Sequence, residues 1–129
     1  MGLRNESYFE LAQADIIIDA LIGYGLSGNP RPEVAVWIEK INAAGKPVLA
    51  LDAPSGLDTT SGRPGSPMIR ADATMTLALP KVGLMSESAR PYVGDLYLAD
   101  ISVPPELYRE IGLEVSSIFE KESIIKIRE

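Results

Sequence analysis

The chain has 129 residues, 46% of them hydrophobic and 23% charged, the balance of a folded globular chain rather than a disordered one. Twelve basic against 18 acidic residues leave a formal net charge of −6, without the basic stripe that a nucleic-acid surface needs. There is no cysteine and no histidine, so disulfides, thiolate chemistry and the usual zinc sites are excluded. Acid–base chemistry falls to Asp, Glu, Lys, Tyr, water or backbone groups, and any metal would be a hard ion held by oxygen.

The length predicts one domain over residues 1–129, ending in a tail, 113–129, whose conformation the pattern leaves open. Residues Met1 to Glu10 mix charge with polarity and carry no apolar h-region, unlike a signal peptide. The longest apolar run, Ile16 to Ile22, is broken by Asp19 and is far too short to span a bilayer. The expectation is a cytoplasmic protein with no membrane partner.

In chain order, Tyr8 to Ala14 fits a short helix or an entry loop. Asp15 to Ile22 is β-branched and apolar, predicting a strand buried on both faces. Gly23 to Pro30 follows as a glycine-rich loop. Pro32 to Ala44 sets Val34, Trp37, Ile38 and Ile41 at helical spacing, with Pro32 in the first turn and Gly45 at C′. Pro47 to Asp52 is the next strand, completing a right-handed βαβ unit with parallel strands. Thr59 to Pro67, rich in Gly, Pro and Ser, predicts a surface loop. Ala73 to Leu79 alternates threonines with apolar residues as a third strand, and Val93 to Ile101 is a fourth with Leu96, Leu98 and Ala99 inward. Pro104 to Ile111 suits a short helix; from Glu114 to Glu129, Ile124, Ile125 and Ile127 fit helix or strand.

Several places carry candidate chemistry. Asp52 stands at the carboxyl end of its strand, where open α/β sheets bind ligands, and runs into Pro54-Ser55-Gly56. Ser55 has neither a histidine to activate it nor the glycine-flanked elbow of a hydrolase, so it is a ligand or ion contact, or a turn former. Gly23, Gly25 and Gly28 form Gly-x-Gly-x-x-Gly between strand and helix, the context of a phosphate-cradling loop. Pro30 and Pro32 remove donors near the helix start, and turn glycines alone would explain the spacing equally well. Asp52 lies 24 residues past Gly28, a spacing compatible with ribose binding. Asp19 interrupts an apolar strand, where a carboxylate must be paired, metal-bound or accept backbone N–H groups. Lys81 would face the same sheet edge or stand as a solvated lysine, and Tyr24 could stack on a base or pack in its loop.

Four ordered blocks carry a resemblance: Asp19-Ala20-Leu21-Ile22-Gly23-Tyr24-Gly25-Leu26-Ser27-Gly28; Leu51-Asp52-Ala53-Pro54-Ser55-Gly56-Leu57-Asp58; Ala71 to Thr76 with Pro80-Lys81-Val82-Gly83-Leu84; and Tyr92-Val93-Gly94-Asp95. Together they resemble the YjeF N-terminal domain family of NAD(P)H-hydrate epimerases, over about Asp15 to Pro104. The resemblance implies a Rossmann-like three-layer α/β/α sandwich with a mostly parallel sheet. It also implies an isomerase interconverting the R and S forms of hydrated NADH or NADPH, alongside a companion dehydratase. It places a potassium ion on Asp19 and Ser55, nucleotide contacts on Gly23, Tyr24, Gly25, Leu26, Ser27, Gly28 and Asn29, and cofactor contact with proton transfer on Asp52. The family's Asn-Asn-Gly-Gly-Asp-Gly segment has no counterpart before Asp15, so the match is to the C-terminal half, truncated at the N-terminal side. The expected exposed sheet edge calls for a homo-oligomer or a partner chain to cover it. The alternatives to an active epimerase are a non-catalytic nucleotide-binding or protein-interaction module of the same fold, and one half of a split epimerase.

Overall fold

The computed structural model of the chain describes residues 11–23, 25–114 and 118–128. Its β-branched and apolar runs pair into one five-stranded sheet in the order β1-β2-β3-β4-β5, with β1 Ile17–Asp19, β2 Val48–Leu51, β3 Ala73–Leu77, β4 Asp95–Ala99 and β5 Ile124–Arg128. The first four strands are parallel and β5 runs antiparallel to β4. This is the expected α/β architecture with a mostly parallel sheet.

Parallel neighbours require crossovers. Helix α1, Pro32–Ala43, supplies the first, turning Ile38 and Ile41 inward and ending before Gly45 at φ 64°. The second, residues 52–72, contains no helix. The third holds a 3₁₀ turn, Val82–Met85, and the short helix α2, Arg90–Val93. A further helix, α3, Pro105–Glu110, has no buried residue. Because β1 to β4 advance in one direction across the sheet, right-handed crossovers all fall on the same face. The register sets Ile17 and Asp19 beside Val48 and Ala50, Ala50 beside Thr74, and Thr74 and Thr76 beside Leu96 and Leu98. That row is buried throughout and packs on two apolar clusters, one around Ile38, Ile41, Ile69 and Ala71, the other around Leu57, Met68, Leu84, Ala89 and Val93.

Several elements differ from the sequence reading. Asp15 to Ile22 is not a strand buried on both faces: β1 is three residues long and lies at the sheet edge. Ile17 and Asp19 are buried, but Ile18 on the opposite face is 62% exposed, as only one face of β1 is covered. On β3, where the alternation left the inward face open, Thr74 and Thr76 are the residues that point inward. The Thr74 hydroxyl donates to the Val93 carbonyl at 2.7 Å, and the Thr76 hydroxyl accepts from Lys81, so each buried oxygen is satisfied. The loop from Thr59 to Pro67 is not merely superficial. Leu57 bridges Pro64, Gly65 N–H donates to the Gly56 carbonyl, and Thr59 is buried, which welds the segment to the core. Part of the tail is strand β5, with Tyr97 paired to Lys126 and Leu98 to Ile125. Residues 11–13 are helical, and the rest of the expected Tyr8 helix start lies outside the described residues. No helix among the described residues is long and apolar enough to cross a membrane.

Candidate functional site

The carboxyl ends of β1, β2 and β3 lie side by side, and each delivers one charged group. Asp19 closes β1 opposite Ala50 and is fully buried. Ser55, in the turn after β2, reaches it twice. The Ser55 N–H donates to Asp19 Oδ2 at 2.7 Å, and its hydroxyl donates to Oδ1 at 2.6 Å. Leu21 N–H adds a longer bond to Oδ1 at 3.3 Å, while Ile22 N–H donates to Ser55 Oγ at 2.9 Å. The Ile22 carbonyl lies 3.3 Å from the same hydroxyl oxygen. Among the described residues no lysine or arginine forms an ion pair with Asp19. Among the described residues, the buried Asp19 carboxyl group is satisfied by hydrogen bonds alone.

That donor set, a carboxylate, a hydroxyl and a carbonyl, is all oxygen and suits a hard monovalent cation better than a transition metal. Among the described residues no cluster of three or more His, Cys, Asp and Glu side chains could hold a metal ion.

Asp52 follows β2 in an unusual backbone state. Its φ is 70°, its N–H donates to the Met75 carbonyl at 2.8 Å, and the next amide, Ala53 N–H, bonds back to the Leu51 carbonyl at 2.9 Å. A positive φ inside an i to i+2 hydrogen bond defines the rare, strained form of γ-turn. The same turn ends β3. Ala78 has φ 63°, and Leu79 N–H bonds the Leu77 carbonyl at 2.8 Å. Two non-glycine residues thus sit in the left-handed region on adjacent strands, at a cost of about 1 kcal/mol or more each.

These turns bring Lys81 to Asp52, 2.5 Å from Nζ to Oδ1. The ammonium also donates to Thr76 Oγ1 at 3.1 Å and to the Leu77 carbonyl at 3.2 Å. Both side chains keep about a fifth of their surface exposed, 21% for Lys81 and 20% for Asp52. A pair so largely withdrawn from solvent falls between exposed pairs, worth about 0.2–1 kcal/mol, and buried ones, where removing one partner leaves an uncompensated charge. Sequence patterning placed Lys81 near this edge but carried no sign of the pair, because neither Asp52 nor Ala78 is the glycine that positive φ usually selects.

The glycine loop forms the open wall. Gly25 and Gly28 take φ of 103° and 84°, so turn geometry by itself demands glycine at both. Gly23, Gly25, Ser27, Gly28 and Asn29 are exposed and Leu26 is half-buried, whereas Tyr24 lies outside the described residues. A side chain at Gly23 would begin 3.8 Å from Asp52 Oδ2. Asn29 Oδ1 accepts the Ser66 N–H at 3.0 Å, docking the far end of the loop onto the second crossover. Asp19, Ser55, Asp52 and Gly23 are therefore brought together, with the rest of the loop extending outward from them.

Residues 3–83 match the model of the family described as YjeF-related protein N-terminus. The chain belongs to this family. Among similar proteins, the NAD(P)H-hydrate epimerase of Dehalogenimonas lykanthroporepellens is 41% identical over 105 residues, 81% of this chain and 41% of that one. That of Legionella pneumophila is 32% identical over 112 residues, 86% of this chain and 42% of the relative. The bifunctional NAD(P)H-hydrate repair enzyme of Moorella thermoacetica is 41% identical, with 81% of this chain and 21% of the enzyme covered. The chain thus spans about two fifths or less of these relatives. A crystal structure of the yeast protein ynu0 shares the fold with a TM-score of 0.74 at 20% identity, over 95% of this chain and 51% of that one. In this fold Asp19 and Asp52 stand at neighbouring strand ends, where open α/β sheets bind ligands.

Proposed function

We propose that this chain provides the part of an NAD(P)H-hydrate epimerase site that acts on the hydrated nicotinamide ring. The observation that carries the reading is the convergence of Asp52, Asp19 and Ser55 with Gly23 at the carboxyl ends of β1 and β2. Relatives named for that activity cover most of this chain's length.

To invert a hydrated ring carbon, the carbon–oxygen bond must break and re-form on the other face. The departing hydroxyl takes up a proton and leaves as water; the returning water gives a proton up. One carboxyl group that donates in the first step and accepts in the second closes the proton balance without a second catalyst. Asp52 is assigned that role, with the segment Gly23 to Asn29 holding the nucleotide phosphates by backbone N–H groups. Asp19, Ser55 and the Ile22 carbonyl would hold a potassium ion, which supplies positive charge beside the bound nucleotide. The face carrying Ile18 and Leu51, both exposed, is read as covered in the working assembly by a second copy or a partner chain.

The test is direct. Hydrated NADPH, enriched in one epimer, is incubated with the purified chain and its epimers are resolved chromatographically. Interconversion above the spontaneous rate, abolished in Asp52→Ala, is expected. NADP binding without any acceleration would replace this reading with that of a non-catalytic module. No acceleration alone, but activity on adding a separately made N-terminal half of the family domain, would mark a split enzyme.

A further inference from the structure

We propose that Lys81 is the positioning residue for Asp52, clamping Oδ1 so that Oδ2 is the oxygen presented to the ring. The inference deepens the epimerase reading and rests on it for its kinetic half. Lys81 is saturated: its three ammonium protons have three acceptors, Asp52 Oδ1, Thr76 Oγ1 and the Leu77 carbonyl. It therefore has no proton direction left for a substrate, and acts through the carboxylate. The other carboxylate oxygen, Oδ2, lies toward Gly23 and the glycine loop.

The backbone is arranged around this clamp. The two strained γ-turns, at Asp52 and Ala78, aim the two side chains at one another from adjacent strands. Lys81 itself opens the 3₁₀ turn whose Gly83 N–H bonds the Thr59 carbonyl at 2.7 Å, and a Cβ on Gly83 would fall 2.4 Å from that same oxygen. Its main chain is thus pinned to the crossover that also carries Ser55. Each turn is held by the neighbouring strand, Asp52 N–H on the Met75 carbonyl at 2.8 Å and Ala78 N–H on the Ala99 carbonyl at 3.0 Å. Strain kept in place by its surroundings at a ligand-binding edge is the signature of a preorganised group.

The test uses the whole chain with Lys81→Met, Lys81→Arg and Lys81→Ala, and two readouts. In epimer interconversion, Lys81→Met should lower kcat about tenfold or more while KM changes by less than about threefold. Lys81→Arg should recover part of the loss, and millimolar methylammonium should restore Lys81→Ala. A purely structural lysine would not respond to the added amine. Independently of turnover, the carboxyl carbon resonance of Asp52 should shift in Lys81→Met and return toward its original position in Lys81→Arg. A wild type that is inactive refutes the epimerase reading alone, because the resonance still decides the clamp. An active wild type with Lys81→Met within about twofold of it, or an Asp52 resonance unmoved by Lys81→Met, overturns the clamp.

Discussion

Ser55 donates to both carboxylate oxygens of Asp19, its N–H to Oδ2 at 2.7 Å and its hydroxyl to Oδ1 at 2.6 Å, across 36 residues of chain. One residue thereby ties the end of the edge strand to the turn after β2. Everything else in the site is hung from that tie: Ile22 is held by the same hydroxyl, and Asp52 lies three residues upstream of it.

Ser55→Ala removes the hydroxyl and leaves Asp19 Oδ1 and the Ile22 N–H each short of a partner in a buried place. The expected loss is about 1–3 kcal/mol of folding free energy, read as a lower urea midpoint at unchanged slope. A midpoint equal to wild type would show that the tie contributes nothing.

Asp19 is fully buried and, among the described residues, has no cationic side chain paired with it, so binding of a fitting cation should stabilise the folded state selectively. The melting temperature is expected to be higher in potassium chloride than in choline chloride at equal ionic strength. Asp19→Asn should abolish the difference. Equal melting temperatures for the wild type in both salts would remove potassium from the site.

Ala78→Gly relieves a left-handed backbone that alanine resists, at φ 63°. The relief exceeds the extra chain entropy of glycine, for a net gain of about 0.5–1 kcal/mol. The same change at Ala73, inside β3, should destabilise. If the strained turn serves to aim Lys81, Ala78→Gly will also slow epimerisation, a gain in stability bought with activity.

Gly23 is exposed, and its hypothetical side chain would meet Asp52 Oδ2 at 3.8 Å without entering the core. Gly23→Val should therefore leave stability within about 0.5 kcal/mol of wild type while weakening NADP binding. Calorimetric titration and thermal melts on the same sample separate the two effects; unchanged binding would move the nucleotide away from this wall.

Asp58 accepts backbone N–H bonds from Ser61 at 3.0 Å and Thr60 at 2.9 Å, which with the nearby Arg63 hold its carboxyl below the ordinary value of 3.8. A depressed folded-state value stabilises above the unfolded one and is lost as pH falls through the folded one. The wild type should therefore be more stable than Asp58→Asn at neutral pH, and the advantage should fade below pH 3.8. A gap that stays constant into acid would contradict the assignment.

How much of this was legible from residues alone follows from the range of each interaction. Helix α1 was readable because its periodicity and its flanking Pro32 and Gly45 are local. Asp19, Asp52 and Ser55 could be singled out because a carboxylate in an apolar run, or at a strand's end, is conspicuous whatever surrounds it. The direction of β3 was not, since Thr74 and Thr76 face inward only because Val93 and Lys81 arrive to satisfy them.

By itself, the sequence determined the α/β class and the absence of sulfur and imidazole donors, and it singled out Asp19 and Asp52 as candidate acids, all from composition and short-range pattern. Only the tertiary structure decided that Ser55 cradles Asp19, that Lys81 clamps Asp52, and that one face of β1 stays open. Those depend on hydrogen bonds between residues far apart in the chain and on two backbone turns that no glycine announces. Such bonds exist only once the strands lie side by side.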